Sequence, residues 1–374
     1  MTLQPAMVKT FVELESEVVK PGLCAQCGGC VSFCSAGQLH ALALDERGLP
    51  RFTDRRRCLA CGLCYLVCPV THELDGELQE RFARSRGAAD SGTVASARAT
   101  DPAVRQVATD GGVVTSLLLY LLDKRLIDGA IVSTRTESGG RTPTVATTRA
   151  QIVAAAGSHF SGTAHLEQLG SRYTTYTPSI SAVKSLEGDR LHRVALVGTP
   201  CQVIAMRKMQ CLGIVPADAI TYAIGLFCLE SFSFTPEDFQ ARLGISEADV
   251  AGINVKDEFL VTLRDGRELS FPLAQLEEWA RPACLACVEF ANEYADLSAG
   301  GLGSNRGYTT LVVRTERGRR LYTEAMRAGY VEEETYRDAA EMQDRKAGIL
   351  AKIAHFSRLK RERGTARRKA IREE

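Results

Sequence analysis

Apolar and polar positions alternate between helical and extended patterns through most of the chain. The run DGGVVTSLLLYLLDKRLIDGAIVS, from Asp110 to Ser133, predicts a loop, a helix from about Val113 to Lys124 and a buried strand around Gly129 to Val132. LHRVALVGTPCQVIAMRKMQ reverses that order into a strand, a tight Gly-Thr-Pro turn and a helix. Val255 to Phe271 alternate around Asp265-Gly266, which predicts a hairpin. LAQLEEWARPACLACVEF then predicts helix, and YTTLVVRT a strand. Such alternation predicts an α/β sheet with helices packed on it.

The two ends of the chain read differently. Residues 20 to 75 hold eight of the thirteen cysteines in an internal repeat: Cys24, Cys27, Cys30 and Cys34 are echoed 34 residues on by Cys58, Cys61, Cys64 and Cys68. Residues 85–96 are small, polar and glycine-containing, without apolar period or cysteine, so they predict a linker, with the main body starting near Ala97. From about Tyr336 the chain is highly charged and poor in β-branched residues, which predicts a long solvated helix or a frayed tail. A plain surface helix and a partner-docking element both stay open there.

At 374 residues the chain exceeds one typical domain, and two or three structural units are expected. A formal net charge of +1 and 45% apolar residues supply no field for steering onto nucleic acid or anionic lipid. The longest apolar runs, Val113 to Leu122 and Ala219 to Leu229, fall well short of the roughly 20 residues a bilayer requires. The first residues, MTLQPAMVKTFVELES, carry acidic side chains and no apolar core of a signal peptide. A cytoplasmic protein without a transmembrane segment or nucleic-acid partner is expected.

Cysteine-rich disulfide scaffolds belong to small secreted chains, so metal ligation is the better account of most of these thiols. Four thiolates hold an iron–sulfur cube, and C-x2-C-x2-C supplies three of them from one loop, the fourth cysteine of each run ligating the other cluster. On that basis Cys24, Cys27, Cys30 and Cys68 form one 4Fe-4S set, and Cys58, Cys61, Cys64 and Cys34 the other. The second run ends in Cys68-Pro69, whereas the first ends in Cys34-Ser35 without the proline. Zinc is the competing reading, but two runs with identical spacing match ferredoxins better than zinc ribbons.

Five cysteines remain in the body. Cys201 follows a predicted strand in Gly-Thr-Pro-Cys, Cys228 ends another in Gly-Leu-Phe-Cys, and Cys284 and Cys287 form a C-x2-C pair. Strand ends of an α/β sheet converge on one edge, so Cys201, Cys228, Cys284 and Cys287 are expected to hold a third 4Fe-4S cluster, with Cys211 a bystander. Small buried hydrophobes are the alternative for each thiol singly. Asp110-Gly111-Gly112 leads into a helix start suited to an anion, and AGGLGSNRGYTT permits close backbone approach, but neither matches the Rossmann fingerprint and an ordinary loop fits each taken alone. None of the six histidines stands in a paired metal motif.

From about Asp110 onward the sequence resembles the family of coenzyme F-420 hydrogenase and dehydrogenase beta subunits, which also includes the plant 7-hydroxymethyl chlorophyll a reductase. The resemblance runs in order through DGGVVTSLLLYLLDKRLIDGAIV, AAGSHFSGT, VALVGTPCQVIAMRKMQ, AIGLFCLESF and CLACVEFANEYADLSAGGLGSNRGYTTLVVRTERG. With the double-cysteine module attached, the layout looks most like the electron-input subunit of dehydrogenase complexes that oxidise reduced F-420. The resemblance implies a mixed α+β or α/β fold, with an N-terminal bacterial two-cluster ferredoxin-like module over 1–84 and a linker over 85–96. The flavin-binding body then divides into a family N-terminal part, 97–180, and a C-terminal FAD and 4Fe-4S part, 181–335, before the charged segment 336–374. It implies FAD as cofactor, with Asp110, Gly111, Gly112, Thr115, Ser116, Ser158, Asn292, Asp296, Gly300, Gly301 and Gly303 as candidate contacts. Where related sequences often carry Gly-Ser-Lys-Tyr, this chain has Gly157-Ser158-His159-Phe160, and a protonated His159 would pair with an anion in place of the lysine.

The implied function is an oxidoreductase that moves electrons between a hydride carrier, reduced coenzyme F-420 first, and a redox partner protein or complex subunits, through FAD and 4Fe-4S clusters. Two alternatives stay open: a ferredoxin-dependent flavoprotein reductase of an organic substrate, and a non-catalytic electron relay bound to a hydrogenase, formate dehydrogenase or heterodisulfide-type partner. No side-chain nucleophile is needed, and no catalytic residue is assigned.

Overall fold

Four short apolar runs, GAIV, VALVG, AIGL and LSAG, are almost continuously buried, as parallel strands covered on both faces must be. In the computed structural model, which describes residues 8–36, 38–86, 93–135, 141–157, 173–174, 179–186 and 191–373, they form the centre of an eight-stranded sheet. Its order is Val331–Glu333, Val94–Ala99, Thr309–Val313, Leu297–Gly300, Ile220–Leu226, Val194–Gly198, Gly129–Arg135, Arg141–Ala146. The Leu297–Gly300, Ile220–Leu226, Val194–Gly198 and Gly129–Arg135 strands are mutually parallel, and antiparallel strands flank them. The helix Val113–Asp123 packs Leu117, Leu118 and Leu121 into the main core beside this sheet, and Pro200–Cys211 covers a second core with Val203, Met206 and Met209.

A second, three-stranded antiparallel sheet, Val250–Val255, Phe259–Leu263 and Glu268–Phe271, turns at Asp265-Gly266 and has its own aromatic core of Phe232, Phe234, Phe239, Phe259 and Trp279. The first 86 residues, as far as they are described, add short helices, among them Gly29–Ala36, Leu63–Leu66 and Asp75–Arg86, and a hairpin of Leu42–Leu44 with Pro50–Phe52. Cysteines take part in that small core beside Phe11, Leu14, Val31 and Tyr65. Lys208, fully buried in the body, ties the unit down: its ammonium donates to the carbonyls of Cys68 (3.0 Å) and Thr71 (2.8 Å) and pairs with Asp75 at 3.1 Å.

Three expectations are corrected. The segment 85–96 is not a linker throughout, because Val94–Ala99 is a strand held between Thr309–Val313 and Val331–Glu333. Its small side chains, which suggest a linker in isolation, are what a strand buried on both faces accommodates where other elements press closely. The expected helix through LAQLEEWARPACLACVEF breaks into a 3-10 stretch, Leu273–Trp279, and a four-residue helix, Pro282–Leu285, since Pro282 holds Arg281 extended. The C-terminal segment is a 35-residue helix, Ala339–Glu373, but it is not merely solvated: Ile349, Ile353, Lys360 and Gly364 are buried on one stripe. No helix among the described residues is long and apolar enough to cross a membrane.

Candidate functional site

Carboxyl ends of adjacent parallel strands bring the body cysteines together. Cys201 sits in the first turn of the helix that follows Val194–Gly198, a start fixed by Pro200 and by Gln202, whose side-chain oxygen accepts the Thr199 N–H at 3.0 Å. Cys228 lies two residues beyond Ile220–Leu226, and Cys284 and Cys287 frame the end of Pro282–Leu285. Cys201 lies in the field of Cys284 and Cys287, and Cys228 in that of Cys284, Cys201 and Cys287. The Thr199 hydroxyl is 3.3 Å from the Cys201 sulfur. Cys211 stands in the last turn of the same helix, ten residues on from Cys201 and so about 15 Å along its axis.

The N-terminal cysteines group across the repeat. Cys30 lies in the field of Cys27, Cys24 and Cys68, while Cys64 lies in that of Cys61, Cys58 and Cys34. Cys68 is thus a neighbour of Cys30, and Cys34 a neighbour of Cys64. Matching positions of the two runs share a backbone shape: Gln26 and Ala60 have φ of 54° and 51°, Gly28 and Gly62 of 79° and 74°. Left-handed backbone at non-glycine residues is costly, about 1–3 kcal/mol, and concentrates where a loop must wrap a functional centre. Here it turns main-chain N–H groups toward sulfur: Gln26 donates to the Cys24 sulfur at 3.4 Å, and the N–H groups of Gly29, Tyr65, Val70 and Thr71 act on Cys27, Cys64 and Cys68.

Burial pushes the thiols of Cys24, Cys64 and Cys228 up to about 12, although Arg281 near Cys24 and Lys360 near Cys228 pull the other way. Among the described residues no three His, Cys, Asp or Glu side chains converge as one metal ion requires; a tetrahedral zinc, with sulfur at about 2.3 Å, needs its sulfurs within about 4 Å of each other. Around the N-terminal thiols the main-chain N–H groups supply the donors that the sulfurs of an iron–sulfide core accept.

Of the flavin candidates, the structure brings together Asp110, Gly111, Gly300 and Gly301. A Cβ on Gly301 would stand 2.5 Å from Asp110 Oδ2, one on Gly111 2.6 Å from the Ala97 carbonyl, and one on Gly300 2.5 Å from the Phe227 ring. Asp110 Oδ1 accepts from Asn254 Nδ2 at 2.7 Å and pairs with Lys256 at 3.2 Å. Gly112, with φ of 76°, caps the helix in which Thr115 and Ser116 are buried, and Gly303, with φ of 83°, faces Ile349. The helix amino end and Lys256 on either side of Asp110 suit a phosphate-bearing group.

Asn292 and Asp296 are bonded into the frame. Asn292, buried at φ 56°, donates to the carbonyls of Gly198 (2.9 Å) and Leu226 (3.2 Å), stitching the ends of two parallel strands beside Cys201. Asp296 accepts from the Ala223 N–H (2.8 Å), the Thr315 hydroxyl (2.7 Å) and Arg207 (3.0 Å), so both its oxygens are engaged within the protein. Ser158 and His159 lie outside the described residues.

Several functional side chains have no motif to announce them. Lys256 and Asn254 come from the small sheet, and Arg281 donates to the Ala25 carbonyl at 2.9 Å, joining the first cysteine loop to the Cys284 helix. Lys360 and Gly364 come from the C-terminal helix, where a glycine amid charged residues is the available signal.

The models of the coenzyme F-420 hydrogenase/dehydrogenase beta subunit match at residues 94–169 for its N-terminal part and 191–339 for its C terminus. The first match begins where the Val94–Ala99 strand begins. The beta subunit of the coenzyme F-420 hydrogenase of Methanococcus voltae is 31% identical over 75% of this chain and 95% of its own length. A subunit of the F(420)H(2) dehydrogenase of Methanosarcina mazei is 27% identical over 82% of this chain and 83% of its own. A chain of the F-420-reducing [NiFe] hydrogenase complex from Methanosarcina barkeri superposes with a TM-score of 0.61 at 25% identity, covering 73% of this chain and 90% of that one. Sequence and fold agree, and this chain belongs to the family of coenzyme F-420 hydrogenase/dehydrogenase beta subunits.

Proposed function

We propose that this chain is an iron–sulfur flavoprotein subunit that moves electrons between a hydride carrier, reduced coenzyme F-420, and a redox partner within a larger complex. Relatives named as F-420 hydrogenase and F(420)H(2) dehydrogenase subunits support the carrier and the complex. When bound, FAD accepts a hydride and releases electrons singly, and 4Fe-4S groups accept them singly. Cys24, Cys27, Cys30 and Cys68 would hold one four-iron group, Cys58, Cys61, Cys64 and Cys34 the second, and Cys201, Cys228, Cys284 and Cys287 the third. The Val113 helix start and Lys256 would face the flavin phosphates, with Asp110 holding Lys256 in place.

One observation carries this reading: the three thiol sets adjoin in series. Cys201 of the body set acts on Cys24 and Cys27 of the first N-terminal set, and Cys64 of the second acts on Cys30. Isolated structural sites have no reason to form a row, whereas one-electron transfer requires neighbours. Anaerobic isolation with iron, sulfide and flavin quantification, followed by titration with reduced F-420, tests it. About twelve irons and one FAD per chain, with the flavin band bleaching, is the expected result. About eight irons and no flavin would overturn it.

A further inference from the structure

The C-terminal helix begins at Ala339, where the family match ends, and it runs directly onto the body cysteine set. Gly364 lets it approach until a Cβ there would meet the Cys287 carbonyl oxygen at 2.4 Å. One turn earlier Lys360, 1% exposed, donates through its ammonium to the carbonyls of Cys228 and Leu229. Arg363 engages Glu230, and Arg368 donates to the Ala286 carbonyl at 2.7 Å while lying in the field of both Cys287 and Cys68. Nε and Nη2 of Arg363 are buried without a partner among the described residues.

This arrangement is unbalanced in charge. An ammonium sealed from water needs an anion, and two neutral carbonyls satisfy its hydrogen bonds without compensating its charge. The carboxylate of Glu230 already faces Arg363, and the carbonyl that Lys360 holds belongs to Cys228 of the body set. The missing negative charge is therefore that of four thiolates around an iron–sulfide core.

Resting on the functional reading above, we propose that the C-terminal helix is the closing wall of the third four-cysteine site and that Lys360 is its fixed counter-charge. By favouring the more negative, reduced form of the group held there, Lys360 raises its reduction potential. Lys360 acts through the cluster as a positioning residue and touches no substrate.

The test is an EPR-monitored redox titration of the anaerobically isolated full chain, with iron analysis, on wild type, Lys360→Met and Lys360→Arg; the signal that Cys228→Ser removes identifies the third site. Lys360→Met is expected to keep about twelve irons and to lower the potential of that signal alone. If Lys360→Met instead falls to about eight irons, restoration to twelve by Lys360→Arg supports the charge requirement, and failure to restore overturns it. Full iron with an unmoved or raised potential in Lys360→Met also overturns it and leaves the functional reading standing. A wild-type chain with about eight irons overturns both.

Discussion

Gly364 of the C-terminal helix rests against the carbonyl of Cys287, with room for hydrogen but not for a methyl group: a Cβ would lie 2.4 Å from the oxygen and 2.8 Å from its carbon. Gly348 on the same helix has nothing within 4 Å of that position. Alanine favours helix over glycine by about 1 kcal/mol, so Gly348→Ala should raise stability by up to that amount. At Gly364 the same gain is outweighed by overpacking against backbone that cannot rotate away, about 1–3 kcal/mol. Thermal unfolding of the two variants should therefore move in opposite directions, and equal upward shifts would mean that the helix is not seated against Cys287.

Asp296 and Arg207 form an ion pair at 3.0 Å with side chains only 5% and 13% exposed. Asp296→Ala would leave the Arg207 guanidinium buried without its carboxylate and strip the Ala223 N–H and the Thr315 hydroxyl of their acceptor, a loss of about 3–5 kcal/mol. Urea denaturation of flavin-free protein measures it. A residue whose role is to touch the flavin would show its effect only with flavin bound, so a small change in flavin-free protein would return Asp296 to the cofactor.

Local pattern makes the Val113–Asp123 helix, the strand and helix around Thr199, and the Asp265-Gly266 hairpin legible in the sequence, because each depends on neighbours within a few residues. Loop spacing also leads to the proposed exchange of Cys34 and Cys68 between runs, since it leaves each run one ligand short of closing its own set. Long-range facts are not. Val94–Ala99 is a strand because of partners more than 200 residues away, and nothing in VASARA records them. Resemblance marks Asn292 and Asp296 as noteworthy positions, but it cannot tell a residue that holds a cofactor from one that holds strand ends. Lys360 is hidden by composition: within a charged helix one more lysine reads as surface, and only burial separates it from its neighbours.

Asp110 joins the Val113 helix start to the small sheet through Asn254 and Lys256, at the junction of the two glycine segments. Replacing it with alanine releases Lys256 and loosens that junction, and a lost hydrogen bond to a charged group is worth about 1.5–3 kcal/mol. Asp110→Ala should therefore retain FAD at least about tenfold more weakly while all the iron stays bound. Flavin and iron measured on the same preparation check this, and undiminished flavin would remove Asp110 from the site.

Cys201 and Cys211 sit at opposite ends of one helix and provide an internal control for the third cysteine set. Cys201 neighbours Cys284 and Cys287 and packs against the core that contains Cys27, so in the proposed scheme it belongs to one set and borders another. Cys211 lies ten residues further on, about 15 Å along the helix axis. A serine hydroxyl holds its proton far more tightly than a thiol and replaces a thiolate ligand poorly, so Cys201→Ser should lose about four irons per chain while Cys211→Ser loses none. The adjacency adds a second consequence. If electrons cross from the body set to the N-terminal pair through the contact at Cys201, the clusters left in Cys201→Ser should still be reduced by dithionite but no longer by reduced F-420. Loss of iron from both variants would show that helix integrity governs iron content, and full iron in Cys201→Ser would exclude Cys201 as a ligand.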